Sequence, residues 1–178
     1  MMRFLPRRQG GEAPDLSALM PYEGVVAQLL HARGVRTAQQ AEDFLHPNLS
    51  MLHDPLLMQG MAEALQILEK AKADNTPTVV YGDYDVDGIC ATSILTHALR
   101  RYGLTVTPHV PLRAEGYGLN CDAVRKLAEK YRLLITVDLG ITNHEEVRLA
   151  QSLGMTVIVT DHHQIKENRL PEKRKKAK

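Results

Sequence analysis

Residues 82 to 88 read Gly-Asp-Tyr-Asp-Val-Asp-Gly, so three carboxylates, Asp83, Asp85 and Asp87, stand at alternate positions of a short segment. Carboxylates this close repel and raise one another's proton affinity unless a positive charge shares the space. A hard divalent cation such as Mg²⁺ or Mn²⁺, which prefers oxygen ligands, satisfies them. The bland alternative is a solvated acidic turn or an Asp-capped helix start, and a lone Asp-x-Asp leaves both readings open. More donors follow in Val137-Asp138-Leu139-Gly140 and Thr160-Asp161-His162-His163. Alone, the His-His pair is more often a structural or incidental loop feature than a ligand set.

What brings these segments together is the rhythm of the chain after Asn75. Thr78 to Tyr81 is a β-branched run ending in the first acidic turn, and a helix is expected from about Ile89 to Tyr102. A second strand is expected over Leu104 to Val110, a helix over Cys121 to Tyr131, and a third strand over Leu133 to Val137. A helix over Asn143 to Leu153, with a capping-box-like start at Asn143 and Glu146, then leads to a fourth strand over Thr156 to Thr160. Strands separated by crossover helices imply an α/β fold: a mostly parallel, doubly wound sheet with helices on both faces. In such a sheet the ends of the first, third and fourth strands open onto one edge, the edge where ligands bind. Carboxylates and imidazoles converging there supply enough donors for a pair of metal ions.

Ahead of the sheet lies a helical preface, residues 16 to 75. Val25, Val26, Leu29 and Leu30 recur at helical spacing, Thr37 with Gln40 forms a capping box for Ala38 to Leu45, and Ala62 to Ala73 is amphipathic with Ala64, Leu65 and Leu68 on its apolar side. Residues 1 to 15 are expected to be disordered, residues 76 to 165 to form the sheet domain, and residues 166 to 178 to be a disordered basic tail. No internal repeat is present.

The composition is that of a globular protein: 178 residues, 44% hydrophobic and 24% charged. That length leaves no room for two full-sized catalytic domains. The net charge of +1 hides an asymmetry, because the stretch from Lys166 holds seven basic and two acidic residues while the remainder holds 15 basic and 19 acidic. The body therefore carries no global electrostatic footprint for DNA, and any contact with nucleic acid is local. No apolar run approaches the ~20 residues needed to cross a bilayer, and no signal peptide is evident, so a cytoplasmic location and no membrane partner are expected. Cys90 and Cys121 have no CxxC spacing and read as ordinary small hydrophobes.

The segments Gly-Asp-Tyr-Asp-Val-Asp-Gly, Val-Asp-Leu-Gly-Ile-Thr and Asp-His-His, in this order, resemble the first three motifs of the DHH phosphoesterase superfamily. Val79 to Ala91, Glu115 to Leu119 and Leu134 to Val147 resemble the family's exonucleases specific for single-stranded DNA, and the resemblance runs from about Leu16 to His163. It implies metal-dependent phosphodiester hydrolysis, 5′-to-3′ on single-stranded DNA, in repair and recombination. Two divalent cations, Mn²⁺ or Mg²⁺, would activate the attacking water. Carried over by motif, Asp85, Asp87, Asp138 and His162 become metal ligands, with Asp138 bridging. Asp83, Asp161 and His163 become supporting groups around the reaction, His163 facing the scissile phosphate.

Arg113 is either a phosphate clamp, for which its fork geometry suits it, or a surface arginine. The family's fourth motif, its second lobe and its further DNA-binding module have no place after His163, so the chain is expected to be an amino-terminal part with weak or absent turnover. Two further readings stay open: a relative acting on small phosphates, such as a pyrophosphatase or a cyclic-dinucleotide phosphodiesterase, and a non-catalytic metal-binding fragment.

Overall fold

The computed structural model describes residues 15–113, 116 and 118–164. The basic tail and all but the last residue of the expected disordered amino terminus lie outside the described residues. The chain divides into two compact units, Met1–Leu57 and Met58–Lys178.

In the first unit, a single tight helical turn at Ser17–Leu19 precedes α1 (Gly24–Ala32) and α2 (Ala38–Leu45), with further short turns at Leu49–Met51 and Pro55–Leu57. Thr37 caps α2 by accepting the Gln40 N–H at 3.2 Å, and the Gln40 side chain reaches back to the Arg36 N–H at 2.8 Å. The small core is Leu19, Ala27, Leu30, Val35 and Ala41. Of the apolar spacing seen in the sequence only Leu30 enters it, while Val25, Val26 and Leu29 are exposed. A helix of nine residues buries one narrow stripe, and here that stripe is the i, i+3 pair Ala27 and Leu30.

The second unit begins with α3 (Met61–Ala73), continues as β1 (Thr78–Gly82), α4 (Val86–Tyr102), β2 (Val106–His109), α5 (Cys121–Ala128), β3 (Leu133–Val137) and α6 (His144–Ser152), and ends with β4 (Thr156–Thr160). All four strands are parallel, in the order β2-β1-β3-β4. α3, grouped by sequence with the preface, belongs to this unit. Ile67, Leu68 and Ala71 pack with Val80, Leu99, Leu104, Val106, Leu133 and Ile135 on one face of the sheet, whereas Leu65 is exposed. On the other face Val79, Tyr81 and Leu134 pack against Val124, Leu127 and Ala128 of α5 and Ala150 of α6. Helices thus cover both faces, as a near-continuous run of buried strand residues requires. Leu134→Ala, at a side chain with no exposure, is expected to cost about 2–5 kcal/mol in urea or thermal unfolding.

Two details shape the edge where the motifs emerge. α4 starts three residues before the sequence-expected Ile89, because Asp85 accepts the Gly88 N–H at 2.9 Å and caps it. Edge strand β2 is blunted by Arg100, whose Nε and Nη2 both donate to the Val106 carbonyl at 3.0 and 2.8 Å, and by Pro108.

Candidate metal centre

Strand register assembles the site. Gly82 pairs with Val137, and Val137 with Thr160, so the next residue of each strand, Asp83, Asp138 and Asp161, arrives at one level on the carboxyl edge. β1 and β3 are neighbours whose onward connections run to opposite sides, which makes this the switch point of the sheet. An open cleft of about 460 Å³ lies there, lined by Asp87, Cys90 and Ile94 of α4 together with Asp138, Asp161 and His162. Asp87, Cys90 and Ile94 follow one another at i, i+3 and i+7, one stripe of α4. Cys90 is exposed on this wall instead of buried as a small hydrophobe.

The first motif is held by its glycines. A Cβ on Gly88 would sit 2.5 to 2.7 Å from backbone atoms of Asp83, and one on Gly82 would sit 1.8 Å from Thr92 Oγ1. Thr92 in turn donates to the Gly88 carbonyl at 2.7 Å. The end of β1 and the first turn of α4 are therefore in direct backbone contact. Asp83 is 2% exposed and accepts the Tyr84 N–H at 2.7 Å, so it anchors the turn from within. Asp85 and Asp87 are exposed at the helix start.

The second motif carries Asp138 at φ +64, a left-handed conformation that aspartate tolerates better than most residues. Its N–H donates to the Thr160 carbonyl at 3.0 Å, and its Oδ1 lies 2.9 Å from His162 Nε2. Asp161 joins the second and third motifs: Oδ2 accepts the Ile141 N–H at 2.9 Å, while Oδ1 accepts the His163 N–H at 3.0 Å and lies 2.7 Å from His163 Nδ1. Burial pushes the Asp161 carboxyl up, but the His163 and Ile141 N–H donors and the His163 ring outweigh it and hold it below its ordinary value. The hydrogen bond to Asp161 raises His163, against a lowering by burial, and the charges of Asp161, Asp138 and Asp85 add to the rise.

One donor atom each from Asp138, His162 and His163 lie within 4.8 Å of one another. Carboxylate oxygen with imidazole nitrogen is a donor set that suits Mn²⁺ and its neighbours, so these residues fit a divalent cation. The motif resemblance implies His163 as a support and Asp85 and Asp87 as ligands. The structure draws His163 into the tight group, keeps Asp87 on the cleft wall, and gives Asp85 the cap of α4.

Arg113, in the loop after β2, sits over the Tyr84 ring at 4.9 Å from its centroid, beside the first motif. That loop is tied to the residue after the second motif, because Asn143 Nδ2 donates to the Leu119 carbonyl at 3.0 Å, and to β1, because the Tyr81 hydroxyl donates to the Gly118 carbonyl at 3.3 Å. Asn143, with backbone outside the extended region usual for a cap, makes no side-chain cap for α6, contrary to the expected capping box. Gly116 and Gly118 hold φ near +90 and +84, a left-handed backbone that glycine adopts without a Cβ penalty.

A doubly wound parallel sheet with an acidic and imidazole cluster at its switch point defines a class of protein, and a family model places the chain in it. The chain belongs to the DHH family: the model of the family's N-terminal domain matches residues 77–177, through the basic tail that the sequence reading had set outside the resemblance. It is 42% identical over 142 residues to the single-stranded-DNA-specific exonuclease RecJ of Bacillus subtilis and 38% identical over 162 residues to that of Escherichia coli. These alignments cover 79% and 89% of the chain, and the chain spans 18% and 27% of those proteins. Among solved structures it resembles manganese-bound RecJ (42% identity, TM-score 0.59, covering 62% of this chain and 29% of that one). It also resembles RecJ of Thermus thermophilus with Mn²⁺ (37% identity, TM-score 0.62, covering 80% and 19%). Among the described residues no helix is long and apolar enough to cross a membrane.

Proposed function

We propose that this chain carries the metal-binding half of a site that hydrolyses phosphodiesters in single-stranded DNA, removing nucleotides from a 5′ end. The observation that carries this reading is the register that puts Asp83, Asp138 and Asp161 in one row above a cleft shared with Asp87 and His162. The relatives named for this activity, and the manganese in two similar structures, support it.

In this reading Asp85, Asp87, Asp138 and His162 hold up to two divalent cations, Mn²⁺ or Mg²⁺. Such cations lower the pKa of a bound water and neutralise charge on phosphate oxygens. The protein's own groups do the rest. Asp83 keeps the acidic turn in place from inside the fold. Asp161 orients His163 through Nδ1, so that the ring is held at the site where it would face a phosphate. Arg113 binds the terminal phosphate with its planar fork. The role we assign is in DNA repair and recombination, in the cytoplasm.

The test is Mn²⁺-dependent release of nucleotides from single-stranded DNA labelled at either end, beside an Asp85→Ala, Asp87→Ala double variant. Slow release from the 5′ end, absent without metal and absent in the double variant, is expected. Release that survives the double substitution, or that starts from the 3′ end, contradicts the assignment.

A further inference from the structure

Tyr84 stands between two metal-site carboxylates, yet neither its ring nor its hydroxyl has a role in the reading above. Its backbone is pinned, because its N–H donates to the buried Asp83 carboxylate at 2.7 Å. The ring is only partly buried, and one face of it carries the Arg113 guanidinium at 4.9 Å from the centroid. Arg113 comes from a different element, the loop after β2, and its side chain is exposed.

An exposed arginine is ordinarily a loose phosphate ligand, since its long side chain must be ordered before the fork can engage two oxygens. Stacking on an aromatic face orders it without consuming its donors. A guanidinium lying flat on a ring uses its face for that contact, while the N–H groups radiate in its plane, where carboxylate and phosphate oxygens bind. An ammonium has no such division of face and edge. The first motif also places this stack next to the groups that hold the cations, so an anion bound by both would be a phosphate of the bound strand.

We propose that Tyr84 is the positioning residue for Arg113, its ring holding the guanidinium ready to fork onto the 5′-terminal phosphate of a single strand beside the metal centre. The inference rests on the reading of Arg113 as a phosphate ligand and adds to it a residue whose ring, not its hydroxyl, matters.

The test uses the 178-residue chain with Ca²⁺ present to support binding without turnover, and two probes: the thymidine dinucleotide with a 5′-phosphate and the same dinucleotide without one. Tyr84→Leu is expected to weaken binding of the phosphorylated probe about two- to five-fold, the scale of an exposed cation–π contact. It should leave the unphosphorylated probe unchanged, and Tyr84→Phe should bind like the parent. In an Arg113→Ala background Tyr84→Leu should have no further effect. In the ¹H–¹⁵N spectrum the Arg113 Nε–H should be displaced upfield by the ring in the parent and in Tyr84→Phe, and return to an ordinary position in Tyr84→Leu.

Equal weakening of both probes by Tyr84→Leu, an additive effect in the Arg113→Ala background, or loss in Tyr84→Phe overturns the positioning role. If Arg113→Ala binds the phosphorylated probe as the parent does, or the parent shows no preference for it, the phosphate reading itself fails and the proposal with it. The Nε–H position still reports separately whether the stack exists.

Discussion

Asp138→Asn is expected to lower Mn²⁺ affinity by at least about a hundredfold while leaving the fold in place. Groups that merely orient a ligand are typically worth ten- to a hundredfold in metal affinity, and Asp138 is read as a ligand itself, so its loss belongs at or beyond the top of that range. The substitution is chosen for its backbone. Asp138 holds φ +64, and asparagine visits this region about as readily as aspartate, whereas alanine would add a penalty of about 1–2 kcal/mol. An asparagine oxygen can also still accept from His162 Nε2, 2.9 Å away in the parent. Calorimetric titration with Mn²⁺ reads the first effect and thermal unfolding the second. Unchanged Mn²⁺ affinity would remove Asp138 from the ligand set.

Gly88→Ala is expected to destabilise the sheet unit by about 3 kcal/mol, against the usual direction of such a change. Within a helix, glycine to alanine ordinarily stabilises by close to 1 kcal/mol. Here the added Cβ would stand 2.5 Å from the Asp83 carbonyl oxygen and 2.6 Å from its nitrogen. Backbone atoms cannot rotate aside as a side chain can, so α4 must lift from the end of β1. That movement carries Asp85 and Asp87 with it, and Mn²⁺ affinity should fall together with the melting temperature. A variant as stable as the parent would show that the contact between strand and helix is looser than the structure has it.

Much of the site was legible because its logic is that of strand ends. Thr78, Leu133 and Thr156 each begin a β-branched or apolar run of five residues, and the acidic groups come directly after it. Once the strands are parallel, those groups must share an edge, whatever the order of the strands. The start of α2 was legible for a similar reason, since Thr37 and Gln40 satisfy their donors within one turn.

Other features depend on partners far along the chain. Asn143 looked like a helix cap, but its side chain is oriented by a bond from Nδ2 to the Leu119 carbonyl, 24 residues away, and makes no cap, an arrangement that no short window contains. The motif resemblance gives His163 a supporting place, but its contacts are not readable from the sequence. Its backbone N–H donates to Asp161 Oδ1 and its ring Nδ1 lies against the same oxygen, which sets the ring near Asp138 and His162. Cys90 looked like core until the turn of α4 set by the Asp85 cap put it on the cleft wall with Asp87.

Residue types and their spacing thus settle which groups are present, which elements carry them, and that they meet at the carboxyl edge, because strand and helix periods and turn chemistry act over a few residues. The order β2-β1-β3-β4, the face on which α3 lies, the partners of Asp161 and the place of Arg113 over the Tyr84 ring were decided only in the folded chain. Each of these is a contact between segments distant in sequence, and its energy exists only after the sheet has brought them within reach.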